Sequence, residues 1–156
     1  MQWNFNLSVY LRVYNVFKDI FGFTMTQVIW QDSYSIGIDT IDTQHKQLFD
    51  IMNKIYVASE DDSDIAVIMP LFDQLQDYTK YHFDEEEQFF TTLSQSNIEQ
   101  HKSEHQFFID ELEKIKQQSL RIGTISLELL YFLNDWLVNH IQAEDPKYIV
   151  QDNLAQ

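Results

Sequence analysis

The stretch IAVIMPLFDQLQDYTKYHFDEEEQFFTTL, residues 65–93, decides the fold. Its apolar positions Ile65, Ile68, Phe72 and Leu75 recur every three or four residues, and the series continues through Thr79, His82, Glu86, Phe89 and Leu93. That period belongs to one face of an α-helix about eight turns long. The same face carries both apolar residues and the i,i+4 pair His82 and Glu86, so two ligand-type side chains share the stripe that must be buried. Pro70 sits early in the run, which predicts either a start near residue 69 or a kink there.

Three more segments of the same kind flank it. Residues 41–58 place Ile41, His45, Leu48, Met52 and Ile55 on one stripe, with Asp39, Thr40 or Asp42 as candidate caps. Residues 97–119 align Ile98, His101, His105, Phe108, Leu112 and Ile115, and Ser119 and Gly123 frame the connection that follows. Residues 124–144 align Ile125, Leu129, Phe132, Trp136 and His140, and Pro146 is expected to end this helix by holding Asp145 out of helical geometry. Four long stripes joined by short connections predict an all-α, antiparallel, up-down-up-down four-helix bundle behind an irregular N-terminal arm.

The bulk composition agrees. A chain of 156 residues with 44% apolar content supports one domain with a real core, and three Gly and two Pro are too few for an all-β fold. The net charge of −15 argues against nucleic acid or an anionic membrane as partner. Zero cysteines exclude thiolate zinc, iron–sulfur and c-type haem sites. No stretch reaches the ~18 apolar residues of a membrane span, and no signal peptide is evident, so the cytoplasm is the expected compartment.

All five histidines lie on the stripes. If a core stripe takes about three of seven positions, random placement would achieve this about once in seventy. A core burying five imidazoles without a cation would leave many polar groups unsatisfied. His45, His82, His101, His105 and His140 with Glu86 therefore form a candidate metal set. A carboxylate near His140 completes it, and spacing alone leaves Glu144 and Asp145 both open. Seven ligands suit two ions held about 3.5–4 Å apart. Histidine and carboxylate donors suit iron, manganese or zinc without choosing between them. The Glu-x-x-His motif of ferritin-like di-iron proteins and the His-Glu-x-x-His motif of metalloproteases are both missing.

Residues 25–156 resemble a bacterial member of the hemerythrin family. The resemblance rests on Trp30-x6-Gly37, Ile41-Asp42-x-Gln44-His45-x2-Leu48, His82-Phe83-x2-Glu85-Glu86, His101-x3-His105 and Trp136-Leu137-x2-His140-Ile141-x3-Asp145. It implies two iron ions per chain with an oxo or hydroxo bridge, and O2 as ligand. On that pattern His101, His105 and His140 hold one iron, His45 and His82 the other, and Glu86 and Asp145 bridge them. It prefers Asp145 over Glu144, and it implies that Leu48, Phe83, Trp136, Leu137 and Ile141 line an apolar O2 pocket.

Reversible O2 carriage or storage, without enzymatic turnover, is the leading expectation. The alternatives are an O2 or redox sensor, or a di-iron enzyme such as a peroxide or nitric-oxide scavenger. Residues 1–24 precede the region of resemblance; they are aromatic-rich and nearly uncharged. They read either as an upstream translated stretch, with Met25 the natural start, or as a segment that docks on the bundle, a protein partner or a membrane.

Overall fold

The computed structural model describes residues 27–60, 63–93, 98–125 and 127–150. Residues 1–24, including the docking segment expected from sequence, lie outside the described residues. Four helices form the bundle: α1 (Asp39–Glu60), α2 (Ile65–Thr92), α3 (Ile98–Ile122) and α4 (Leu127–Asn139). A π-helical turn, His140–Glu144, continues α4 and leads into a short α5 (Asp145–Val150). Helix α1 packs on α2, α2 on α3, α3 on α4, and α4 closes the ring on α1. The described residues contain no strand and no helix long and apolar enough to cross a membrane.

The helix ends follow local chemistry. Helix α2 begins at Ile65, because the Asp64 side chain accepts the Ala66 N–H at 2.8 Å, and it runs through Pro70. Helix α3 outlasts its expected end at residue 119. Ser119 is buried within it, and the chain turns at Gly123, whose φ of +77° suits a residue without Cβ. Asp42 of α1 reaches back to the arm, accepting the Ile36 N–H at 2.9 Å and the Ser35 hydroxyl at 2.5 Å. The arm then runs along α1: Trp30 and Tyr34 pack on Phe49, and the Asn53 amide bonds both Val28 N–H and Val28 C=O.

The expectation that Pro146 ends the fourth helix is corrected. Asp145 has φ −54° and ψ −43°, which is helical, and its N–H bonds to the His140 carbonyl five residues back. The wide π turn relieves the clash a proline ring makes with the preceding turn, and Pro146 falls in the first turn of α5, where it needs no N–H.

Two apolar clusters fill the interior. The larger runs along all four helices and includes Leu48, Phe72, Phe108, Leu112, Phe132 and Leu137. The smaller gathers Ile36, Ile41, Phe90 and Tyr148. Phe90, not Phe89, is the fully buried residue near the end of α2, because a 3.6-residue helix drifts from a strict 3.5 repeat by one step over this length. The histidines lie between the two clusters. His101 is touched edge-on by Phe90 and Tyr148 of the smaller cluster, while Phe83 of the larger stacks on His105 at 3.7 Å.

Candidate metal centre

Each helix contributes polar side chains to one buried spot. α1 supplies His45, α2 His82 and Glu86, α3 His101 and His105, and the α4 extension His140 and Asp145. None of the seven is more than 3% exposed. Ligand atoms of Glu86, His101, His105, His140 and Asp145 lie within 4.8 Å of one another, and so do those of His45, His82 and Glu86. The i,i+4 spacing places His82 with Glu86 and His101 with His105. For His140 and Asp145 the spacing of five would put the two side chains about 140° apart on an α-helix. The π turn brings them together, with Asp145 Oδ1 3.1 Å from His140 Nε2. Glu144 instead points outward and pairs with Lys147 at 2.6 Å.

All five imidazoles turn Nε2 inward, and the carboxylates stand between the two histidine groups. Glu86 Oε2 is 3.3 Å from both His101 Nε2 and His105 Nε2, while Oε1 is 3.6 Å from His45 Nε2. Asp145 Oδ1 faces His140 at 3.1 Å and His101 at 3.8 Å, and Oδ2 faces His45 at 3.6 Å. Asp145 thus offers one oxygen to either side, and Glu86 turns Oε1 to His45 and Oε2 to His101 and His105. His82 Nε2 lies farther out, 4.0 Å from Glu86 Oε2.

For three of the rings the outer nitrogens explain this orientation. His82 Nδ1 lies 2.9 Å from the Gln44 amide oxygen, His105 Nδ1 2.8 Å from Glu87 Oε1, and His140 Nδ1 3.5 Å from Glu104 Oε2. A proton on Nδ1 serves each of these acceptors and leaves the Nε2 lone pair facing inward. Sequence reasoning missed Gln44, Glu87 and Glu104 in this role. Each backs a ring on another helix, so its neighbours in the chain gave no signal.

Burial and neighbouring side chains together set the charge states. It holds His82 down to about 3 and His140 well below the usual histidine range, with neighbouring imidazoles adding to the effect on both. His101 is lowered by burial as well. Burial also opposes charge on His105, but the Glu86 and Glu87 carboxylates beside it outweigh this and raise it. Burial would raise Glu86, yet His82, His101, His105 and His45 around it hold it well below the carboxylate range. Asp145 is pushed well above that range by burial and by Glu86.

The donor set fits a cation. His45 Nε2, Glu86 Oε1 and both Asp145 carboxylate oxygens are buried and make no hydrogen bond. Such atoms are costly unless something positive lies among them. His105 Nε2 and His140 Nε2 face each other at 2.8 Å, a separation two lone pairs do not tolerate without a proton or cation between them.

The apolar residues expected to line a pocket belong to the core. Leu48, Phe83, Leu137 and Ile141 are buried in the larger cluster, and Trp136 is half-buried against it. Phe83 and Trp136 stack on the rings of His105 and His140, which is the three-histidine side.

Comparison with known proteins agrees with this geometry. Residues 36–150 match the family described as the Hemerythrin HHE cation binding domain. A bacteriohemerythrin of Clostridium acetobutylicum is 32% identical over 126 residues, covering 78% of this chain and 98% of that protein. One from Stenotrophomonas maltophilia is 33% identical, covering 81% of this chain and 82% of its own. The crystal structure of a wild-type hemerythrin superposes with a TM-score of 0.71 at 26% identity, covering 79% of this chain and 95% of that one. Such a match over most of the bundle implies a non-haem iron site of the O2-binding type, and the chain belongs to the hemerythrin family.

Proposed function

We propose that this protein binds O2 reversibly at a centre of two iron ions and carries or stores it, without catalysing turnover. In this reading His101, His105 and His140 would hold one iron, and His45 and His82 would hold the other. Glu86 and Asp145 join the two. The observation that carries the reading is the convergence of five Nε2 atoms on two buried carboxylates, Asp145 with one oxygen toward either histidine group and Glu86 with Oε1 toward His45 and Oε2 toward His101 and His105. Iron, when bound, supplies the electrons that hold O2 and recovers them as O2 leaves.

The chain's own residues do the rest. Burial keeps His82, His101 and His140 neutral at pH 7, the form that donates to a metal. Gln44, Glu87 and Glu104 hold three of the rings in place from behind. Leu48, Phe83, Leu137 and Ile141 keep water and its protons away, and Trp136 covers the outer side.

The test is anaerobic reconstitution of the full chain with Fe(II), followed by absorption spectra through alternating O2 and argon. A colour that appears and disappears over many cycles is expected. Irreversible bleaching, or steady consumption of O2 with added reductant, would replace the carrier reading with an enzymatic one.

A further inference from the structure

The two histidine groups differ in what stands behind their rings. His105 Nδ1 meets the Glu87 carboxylate at 2.8 Å, and His140 Nδ1 lies 3.5 Å from that of Glu104. His82 Nδ1 meets an amide oxygen, that of Gln44, at 2.9 Å. His45 Nδ1 lies 0% exposed in its residue and makes no hydrogen bond, and the same holds for His101 Nδ1. Among the described residues, two outer carboxylates therefore back the group of His101, His105 and His140, and none backs the group of His45 and His82.

We propose that Glu87 and Glu104 are positioning residues that make the three-histidine group the tighter of two metal positions, so that it fills first and the second ion enters at His45 and His82. The inference rests on the two-metal reading of the site. A carboxylate that accepts the Nδ1 proton fixes the tautomer and draws positive charge toward it. Nε2 becomes a stronger donor, and the metal position gains negative charge nearby. An amide oxygen fixes the tautomer but brings no charge. Glu87 acts through a direct hydrogen bond; Glu104, at 3.5 Å, acts mainly through its charge. Both carboxylates keep contact with water, at 21% exposure, so their charge is not set against full desolvation. The third histidine also favours this group, and the substitutions below separate the two contributions.

Metal-free full-length protein is titrated anaerobically with Co(II). Native mass spectrometry counts the ions, and visible absorption follows their coordination. In the wild type, the one-ion species should dominate at one equivalent. His82→Ala should keep this first step and His140→Ala should lose it. Glu87→Gln and Glu104→Gln keep size and a hydrogen-bond acceptor but remove the charge, and each should weaken the first step about ten-fold while sparing the second. Gln44→Glu should strengthen the second step by a similar factor and narrow the gap; as a gain of affinity, this cannot come from misfolding.

Absence of Co(II) binding by the wild type would overturn the metal reading itself. Two ions entering together with no one-ion species would overturn the ordered filling and leave the centre standing. So would Gln variants and a Gln44→Glu variant that all titrate like the wild type.

Discussion

Asp145 Oδ1 lies 3.1 Å from His140 Nε2 although five residues separate them, because the helix widens into a π turn between the two. The turn behaves as one extra residue inserted into an α-helix. Removing Ala143, which is exposed, would restore a spacing of four and keep both side chains on one face. It would also place Pro146 inside a regular helix, at a cost of about 3 kcal/mol. Deletion of Ala143 should therefore destabilise the protein by about that amount. The same deletion combined with Pro146→Ala should recover most of the loss and bind metal at the wild-type stoichiometry. Urea unfolding and native mass spectrometry check both; loss of metal by the double variant would mean that the π turn does more than set the spacing.

Acid should loosen the metal-free protein. His82 is held down to about 3, and His101 and His140 are lowered as well. In the unfolded chain these rings take up protons near pH 6.5. Between 6.5 and 3 the unfolded state therefore binds more protons, and folding stability falls with pH. The raised His105 contributes fully below 6.5 and adds no slope there, while the raised Asp145 works in the opposite direction. His82 alone accounts for about 2 kcal/mol between pH 6.5 and 5. The urea midpoint of the metal-free protein should drop over that interval, and His82→Gln should flatten the drop. A midpoint independent of pH would show that the rings are not buried in the metal-free state.

Leu137, 1% exposed and next to Trp136, is expected to guard the pocket. Leu137→Ala should keep iron content while costing about 2–5 kcal/mol of stability through the cavity it leaves. The O2-loaded form should decay faster to the oxidised state, and azide should bind more tightly, because water and small anions gain entry. If autoxidation runs at the wild-type rate in Leu137→Ala, Leu48→Ala and Trp136→Phe alike, the pocket has been assigned to the wrong residues.

Asp42 joins the arm to the bundle through Ile36 and Ser35. Asp42→Ala leaves the buried Ile36 N–H without its acceptor and should destabilise by about 2 kcal/mol. Asp42→Asn keeps one acceptor and should cost less. Equal urea midpoints for wild type and Asp42→Ala would mean that the arm adds nothing to the fold.

The helices were legible because their stripes are long and regular. Ile41, Leu48, Met52 and Ile55 are buried as their spacing predicts, and so are Phe72, Leu75, Phe108, Leu112 and Ile115. The stripe reading slipped where register accumulates, choosing Phe89 over Phe90. It also read Pro146 as a stop, because a proline rule written for α-helices does not foresee a π turn. The spacing of five between His140 and Asp145 was the one trace of that turn in the sequence. The partners behind the rings were not legible for a different reason. Gln44 and His82 meet across two helices, and Glu87 and His105 across another two, so their contact depends on how the helices slide past one another. A residue's own neighbours in the chain carry no record of that offset.

His140 and Asp145 come last in the chain, on the element that closes the ring. During synthesis the N-terminal parts emerge first. The trio of His45, His82 and Glu86 is therefore complete early, while the group backed by Glu87 and Glu104 waits for the final helix. On the proposed order of filling, the side chains that take the first ion are assembled only once nearly the whole described bundle exists. Maturation of the centre then becomes a step separate from translation.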